Sequence, residues 1–345
     1  MTPRPPGRKS APPPGNPPAV VPRQPPASDP ERRPRRSAAS ARPSAPLRWR
    51  LRLPAPYDLG WVLGFLADRA APSLERVDAA GLVRVVRVEG VPAVLDLRFG
   101  PDAAAPRWLA ATAELAVAGV PGPASAGPLA MHLRRLIRRM LDLDTDLEPF
   151  HDLARRDPLL GPLVARHPGL RLPQLPDPFE GAVRAIVGQQ VSVAGARTVI
   201  DRLIRAFGEP LPANPGLVAF PHPAALAAAR PERVTALGLT RAKAAALLAL
   251  AAASSDGTLD WERLRAAPAD AAQAELVSLP GIGPWTASYI RMRALGDRDA
   301  FPASDLGIVK ALAPHASPAE ISALAEGWRP FRAYAAIHLW RSLGA

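Results

Sequence analysis

Apolar and polar positions change period along the chain, and the change divides it into two parts. Leu47-Arg48-Trp49-Arg50-Leu51-Arg52-Leu53 alternates apolar and basic residues, the period of a half-buried strand. Tyr57–Arg69 carries apolar residues at helical spacing. Two further runs, Leu82–Val88 and Ala93–Phe99, are rich in Val and Leu and are separated by Glu89-Gly90-Val91-Pro92, the composition of a strand, a turn and a strand. Strand, helix, then hairpin predicts a small antiparallel sheet with helices on one face. The stretch 107–127 begins with a helix-like composition and dissolves into Pro, Gly and Ser, reading as an irregular insertion.

From Pro128 onward the period is helical and no strand is predicted. Patterns at Leu129–Leu141, Pro149–Ala154, Pro158–Ala165, Pro178–Gly188, Ser192–Phe207, Arg241–Ser254, Ala271–Leu279, Trp285–Leu295, Leu306–Ala313, Pro318–Glu326 and Phe331–Leu343 are separated by Pro/Gly loops. Short helices broken this often predict a compact, two-lobed all-α body rather than a coiled coil or repeat array. The fold class is therefore α+β. The predicted organisation is a disordered Pro/Arg-rich tail over 1–46, an α+β domain over 47–153, and an all-α domain over 154–345.

Composition sharpens this picture mainly at the N-terminus. Residues 1–46 contain fifteen of the forty-four prolines and almost no large apolar side chain, too little to bury a core. They also hold nine basic and two acidic residues. The formal net charge of +12 thus falls to +5 over the remaining 299 residues, an excess that permits nucleic-acid binding without demonstrating it. The Arg32–Arg36 cluster suits non-specific phosphate contacts. With no cysteine, disulfides, Cys-ligated zinc and iron–sulfur clusters are excluded. No apolar run approaches a membrane span and the N-terminus lacks an apolar signal core, so the expected location is the cytoplasm, alongside the chromosome.

The candidate chemistry gathers near the C-terminus. Leu279-Pro280-Gly281-Ile282-Gly283-Pro284-Trp285-Thr286-Ala287 cannot lie inside a helix or strand. It predicts a tight hairpin between helices, spanning about 271–295, with Pro284 suited to the first turn of the second helix. Such a hairpin is either an ordinary turn or a cradle whose backbone N–H groups hold a phosphate. Asp305 follows Pro302-Ala303-Ser304 and precedes an apolar helical stretch, so it reads as a helix N-cap, as a functional carboxylate, or as both.

Taken with Tyr57-Asp58, Leu63-Gly64-Phe65-Leu66, Leu170-Arg171-Leu172-Pro173, Phe179, Val183-Arg184-Ala185-Ile186-Val187-Gly188-Gln189-Gln190-Val191-Ser192-Val193, Phe301-Pro302-Ala303-Ser304-Asp305 and Ile337-His338-Leu339-Trp340, the hairpin gives the chain a family likeness. From about Leu47 to the C-terminus it resembles the helix-hairpin-helix DNA glycosylases, and within them the bacterial 3-methyladenine DNA glycosylase II group.

The resemblance implies a monofunctional glycosylase of base excision repair that flips alkylated purines out of duplex DNA and hydrolyses the N-glycosidic bond. By the family pattern Asp305 is the catalytic carboxylate, stabilising an oxocarbenium-like transition state. An alkylated purine already carries positive charge and leaves as a neutral base, so no general acid is needed, and His338 is read as structural. Where relatives that cut the strand carry a lysine nucleophile, this chain has Trp285, which cannot form a Schiff base. Lys310, in the helix after Asp305, is the remaining amine of that segment.

Trp340 matches the base-stacking position, with Phe65, Trp285 and Tyr289 as expected pocket walls. Gln190 falls at the wedge position, beside Gln189, and is polar where some members carry Leu. The hairpin residues Gly281, Ile282, Gly283 and Thr286 are expected DNA contacts, and Arg184, Arg197, Arg241, Lys243 and Arg291 are assigned as a group to the DNA face. No cofactor and no side-chain metal site are implied, although a monovalent cation at the hairpin backbone fits the family. The implied partner is double-stranded DNA with damaged bases, bound by a monomer with no obligate protein partner. The competing readings are a same-fold enzyme for hypoxanthine, uracil or oxidised bases, and a non-catalytic helix-hairpin-helix DNA binder.

Overall fold

A computed structural model of the chain describes residues 1–2, 46–100, 108–115, 123–312 and 317–344. The expectation of a disordered tail falls almost wholly outside these residues. From residue 46 the described chain opens with an antiparallel sheet of five strands, β1 (Leu47–Arg52), β2 (Glu75–Asp78), β3 (Gly81–Val88), β4 (Val91–Phe99) and β5 (Trp108–Leu115), in the order β1-β5-β4-β3-β2. Leu51 pairs with Leu109, and Leu82 with Leu97, which pairs in turn with Ala111, so one face of the sheet is a continuous apolar layer.

Two strands of this sheet were not anticipated. The segment Trp108–Leu115 has helix-favouring composition, yet it pairs along both edges, with β1 and β4; tertiary pairing overrides local preference here. Glu75–Asp78 offers a single apolar residue to the pattern. Beyond Pro128 two strand fragments, Glu209–Pro210 and Val218–Ala219, pair with each other, which corrects the expectation of none. Helices at Pro223–Ala227, Pro231–Thr235 and Trp261–Ala266 are too short to show a period.

The remaining helices start where the sequence supplies caps. Asp58, Asp177, Ser192 and Thr240 each accept a backbone N–H in the first turn of Leu59–Arg69, Pro178–Gly188, Val193–Phe207 and Arg241–Ser255. These bonds satisfy donors that a helix start leaves open. After the hairpin, Pro284–Ile290 is α-helical and runs directly into one turn of π-helix, Arg291–Leu295, closed by Gly296 at φ 78°.

Two apolar cores organise the body, and they do not follow the chain in sequence. The first joins the sheet's inner face and residues from Leu133 to Leu172 with Ile308, Trp328, Tyr334 and Leu339 near the C-terminus. The second is built mainly by residues between Phe179 and Leu295, joined by Ala71, Leu74, Val85 and Val94 from the N-terminal part. The C-terminal helix Arg332–Ser342 thus returns to the N-terminal core. That return carries Trp340, packed on the first core, towards Tyr289, packed on the second.

Candidate active site

A cavity of about 290 Å³ lies where residues of the two cores meet, with Trp285, Tyr289, Trp340 and Asp305 on its wall. Trp285 stacks on Tyr289, ring centroids 5.5 Å apart and planes inclined by 22°, and Tyr289 leans on Trp340 at 6.3 Å. These three rings are half-buried, so aromatic surface is left open to the cavity. Phe65 is not a wall residue: it is buried against Trp61, and Arg69 and Arg293 lie over its ring at 3.6 and 4.5 Å. The next residue, Leu66, faces the cavity instead. A larger depression of about 440 Å³, lined by residues such as Arg265, Asp297 and Phe331, shares none of these groups.

Asp305 both begins a helix and faces the cavity. Its Oδ1 accepts the backbone N–H of Gly307 at 2.9 Å and of Ile308 at 3.3 Å, starting the helix Leu306–Leu312. The same oxygen accepts the indole N–H of Trp340 at 2.9 Å, and Oδ2 accepts that of Trp285 at 3.1 Å. All four donors are neutral, and no cation among the described residues is paired with this carboxylate. Its orientation is fixed by dipoles while its formal charge stays uncompensated, the arrangement that stabilises positive charge developing nearby. Gly307 permits it, because a Cβ there would stand 2.9 Å from the Trp340 ring and 3.0 Å from Oδ1.

The cavity lining also carries cations. Arg69, Arg184, Arg197 and Arg293 line the cavity, with Glu75. Arg184 bridges Glu180 at 2.7 Å and Glu75 at 2.9 Å, and Arg84 pairs with the same two carboxylates, a closed network of two cations and two anions. Burial pushes the Glu180 carboxyl up, but the charges of Arg84 and Arg184 outweigh it and hold it below the usual range. Arg293, brought in by the π-turn, donates to Pro173 O at 2.7 Å and to the Tyr289 hydroxyl at 3.3 Å. With no carboxylate partner, burial pushes its guanidinium down to about 10. Sequence reasoning missed Arg69 and Arg293 as wall residues. The i, i+4 spacing of Phe65 and Arg69 was the available signal.

The DNA-face group separates on inspection. Arg197 and Arg241 are exposed. Arg184 belongs to the network above, Arg291 is buried and paired with Asp297, and the Lys243 ammonium is bound to backbone carbonyls. Within the hairpin, Gly281 adopts φ 75° and a Cβ there would collide with Ala246 at 2.5 Å, whereas Gly283, at φ −87°, faces open space. Ile282 and Thr286 are buried, so their side chains do not face outward.

Gln189 points inward as well, its amide donating to Gly281 O at 2.9 Å and to Thr286 Oγ1 at 2.8 Å. Gln190 is exposed and holds a left-handed φ of 54°. Leu279 O and Gly281 O already accept hydrogen bonds. His338 sits in the core beside Phe150, and burial, with His167 and His151 nearby, pushes it down to about 3.

Residues 183–324 match the model of the HhH-GPD superfamily base excision DNA repair protein, and residues 48–177 match the AlkA N-terminal domain. The Escherichia coli DNA-3-methyladenine glycosylase 2 is 37% identical over 291 residues, 84% of this chain and 95% of that protein. The chain belongs to the helix-hairpin-helix family of base excision DNA repair proteins.

A probable bifunctional transcriptional activator/DNA repair enzyme AlkA of Mycobacterium tuberculosis is 36% identical over 306 residues, which are 85% of this chain but 57% of that protein. Among solved structures, a 3-methyladenine DNA-glycosylase from Archaeoglobus fulgidus superposes with a TM-score of 0.71 at 22% identity, covering 85% of this chain and 97% of that one. The stretch matched by the HhH-GPD model includes both the Leu279–Gly283 turn and Asp305.

Proposed function

We propose that the protein is a monofunctional DNA glycosylase that removes alkylated purines, of the 3-methyladenine and 7-methylguanine type, from double-stranded DNA. The observation that carries the reading is the Asp305 carboxylate, held by neutral donors alone and facing a cavity walled by Trp285, Tyr289 and Trp340. A base reached inside a duplex must first be turned out of the stack, and the aromatic wall offers it a stacking surface. An indole face attracts a cationic ring more than a neutral one.

As the C1′–N bond lengthens, positive charge grows on the deoxyribose, and an uncompensated anion in a water-poor site stabilises it. Water completes the hydrolysis and leaves an abasic strand. No amine occupies position 285, so no Schiff base forms and the backbone is not cut.

A second reading has an observation of its own. Arg69 and Arg293 put guanidinium groups on the cavity wall, where they repel a cationic purine and can donate to a carbonyl-bearing neutral base such as hypoxanthine. Base release from duplexes carrying 3-methyladenine, 7-methylguanine, ethenoadenine, hypoxanthine or uracil decides between the two. Borohydride in the same reactions tests the absence of strand cleavage chemistry. Preferential release of the methylated purines without a trapped adduct is expected. Faster release of hypoxanthine overturns the substrate assignment, and a covalent adduct overturns the monofunctional one.

A further inference from the structure

Lys243 lies in the first turn of the helix Arg241–Ser255, where a positive charge opposes the helix's own dipole. Its ammonium serves a different helix. Nζ donates to Val187 O at 2.9 Å and to Gln189 O at 2.5 Å, carbonyls at the C-terminus of Pro178–Gly188, where partners are lacking and a cation is favourable. Gln189 is gripped at both ends, by Lys243 through its backbone and by Gly281 and Thr286 through its side chain. Three residues along from Lys243, Ala246 underlies Gly281 at the hairpin. One helix therefore braces both outward-facing loops, and Gln190, left-handed and exposed, is held between these fixed points.

A non-glycine residue in the left-handed region is disfavoured by its Cβ and persists where its neighbours over-determine it. We infer that Lys243 is a positioning residue for duplex substrates: it clamps the 187–189 carbonyls so that Gln190 is presented to the gap a flipped nucleotide leaves. This rests on the glycosylase reading above. A single strand has no such gap, so the clamp matters only when the lesion is paired.

The test compares release of one lesion, 7-methylguanine, from a duplex and from the same oligonucleotide alone. Lys243→Met is expected to lower kcat/KM on the duplex about tenfold, the scale of losing hydrogen bonds from a charged donor, and to leave the single strand within about twofold. Lys243→Arg should restore most of the loss. Gln189→Ala should show the same duplex-selective defect, and the double variant less than the summed effect, because both act on one strap.

Equal losses on both substrates, or no loss on either, overturn the inference. If Lys243→Met does not fold, Lys243→Gln enters the same comparison. Failure of the underlying reading looks different: the wild type then releases no base from any substrate. In that event 2-aminopurine placed beside an abasic analogue reports on binding alone. A fluorescence change that Lys243→Met and Lys243→Gln leave intact overturns the clamp.

Discussion

Two aspartates in this molecule are held by nearly the same kind of donors, and we propose opposite roles for them. Asp142, buried and at φ 52°, accepts the Thr145 hydroxyl at 2.5 Å, the Tyr334 hydroxyl at 2.8 Å and the Leu172 backbone N–H at 3.0 Å. Asp305 accepts two indole N–H groups and two backbone N–H groups. Around Asp142 every direction is filled by core, with Arg171 near enough to oppose the upward push that burial gives its carboxyl. Around Asp305 one direction is open and leads into the cavity. A set of hydrogen bonds therefore does not by itself tell an enclosed carboxylate from one that faces a cavity; what occupies the remaining solid angle does.

The contrast breaks most visibly at Asp305. Asp305→Asn keeps the helix start and removes the charge. Base release is expected to fall by at least about a hundredfold while damaged-duplex binding changes little, since the charge acts mainly in the transition state. Turnover within about threefold of wild type would erase the distinction between the two sites.

A smaller effect is expected from Trp340→Phe, which retains an aromatic wall and deletes one donor to Oδ1. A drop of about tenfold in kcat/KM is the scale of one hydrogen bond to a charged acceptor. An unchanged rate would mean that the ring alone matters.

The mildest outcome for activity belongs to Asp142→Asn, where stability rather than chemistry should change, by about 1–3 kcal/mol in denaturant unfolding. The folded fraction is expected to keep its kcat/KM. Its pH dependence sharpens the comparison further. Burial raises the Asp142 pKa above the unfolded value, so within that window the native state holds a proton that the unfolded state has lost, and stability falls as pH rises. The variant lacks this contribution. The wild-type advantage should therefore be greatest below the window and shrink towards neutral pH; an advantage independent of pH would show that Asp142 does not titrate as a buried group.

The parts legible in the sequence were those written in local chemistry. Gly281, Gly283 and Pro284 mark a break that no other element tolerates, and Asp58, Asp177, Ser192 and Thr240 cap where cap residues are expected. What escaped was set by distant partners. Trp108–Leu115 became a strand because β1 and β4 flank it. Phe65 lost its place on the wall because Arg69 and Arg293 came between it and the cavity. Arg184, assigned to the DNA face with four other basic residues, is instead tied into a network by Glu75, which is remote in sequence. The bonds from Trp285 and Trp340 to Asp305 likewise join residues far apart along the chain, and nothing in their spacing foretells that both indoles turn their N–H groups to one carboxylate.

The two hairpin glycines carry constraints of different origin. At 281 the backbone angle and the methyl of Ala246 both exclude a side chain, so a selection for folded protein alone would already reject alanine there. At 283 the angle is ordinary and the space is empty. On the proposed DNA-binding reading, a library sorted only for heat resistance keeps alanine at 283, whereas one sorted for grip on a DNA backbone discards the same clones.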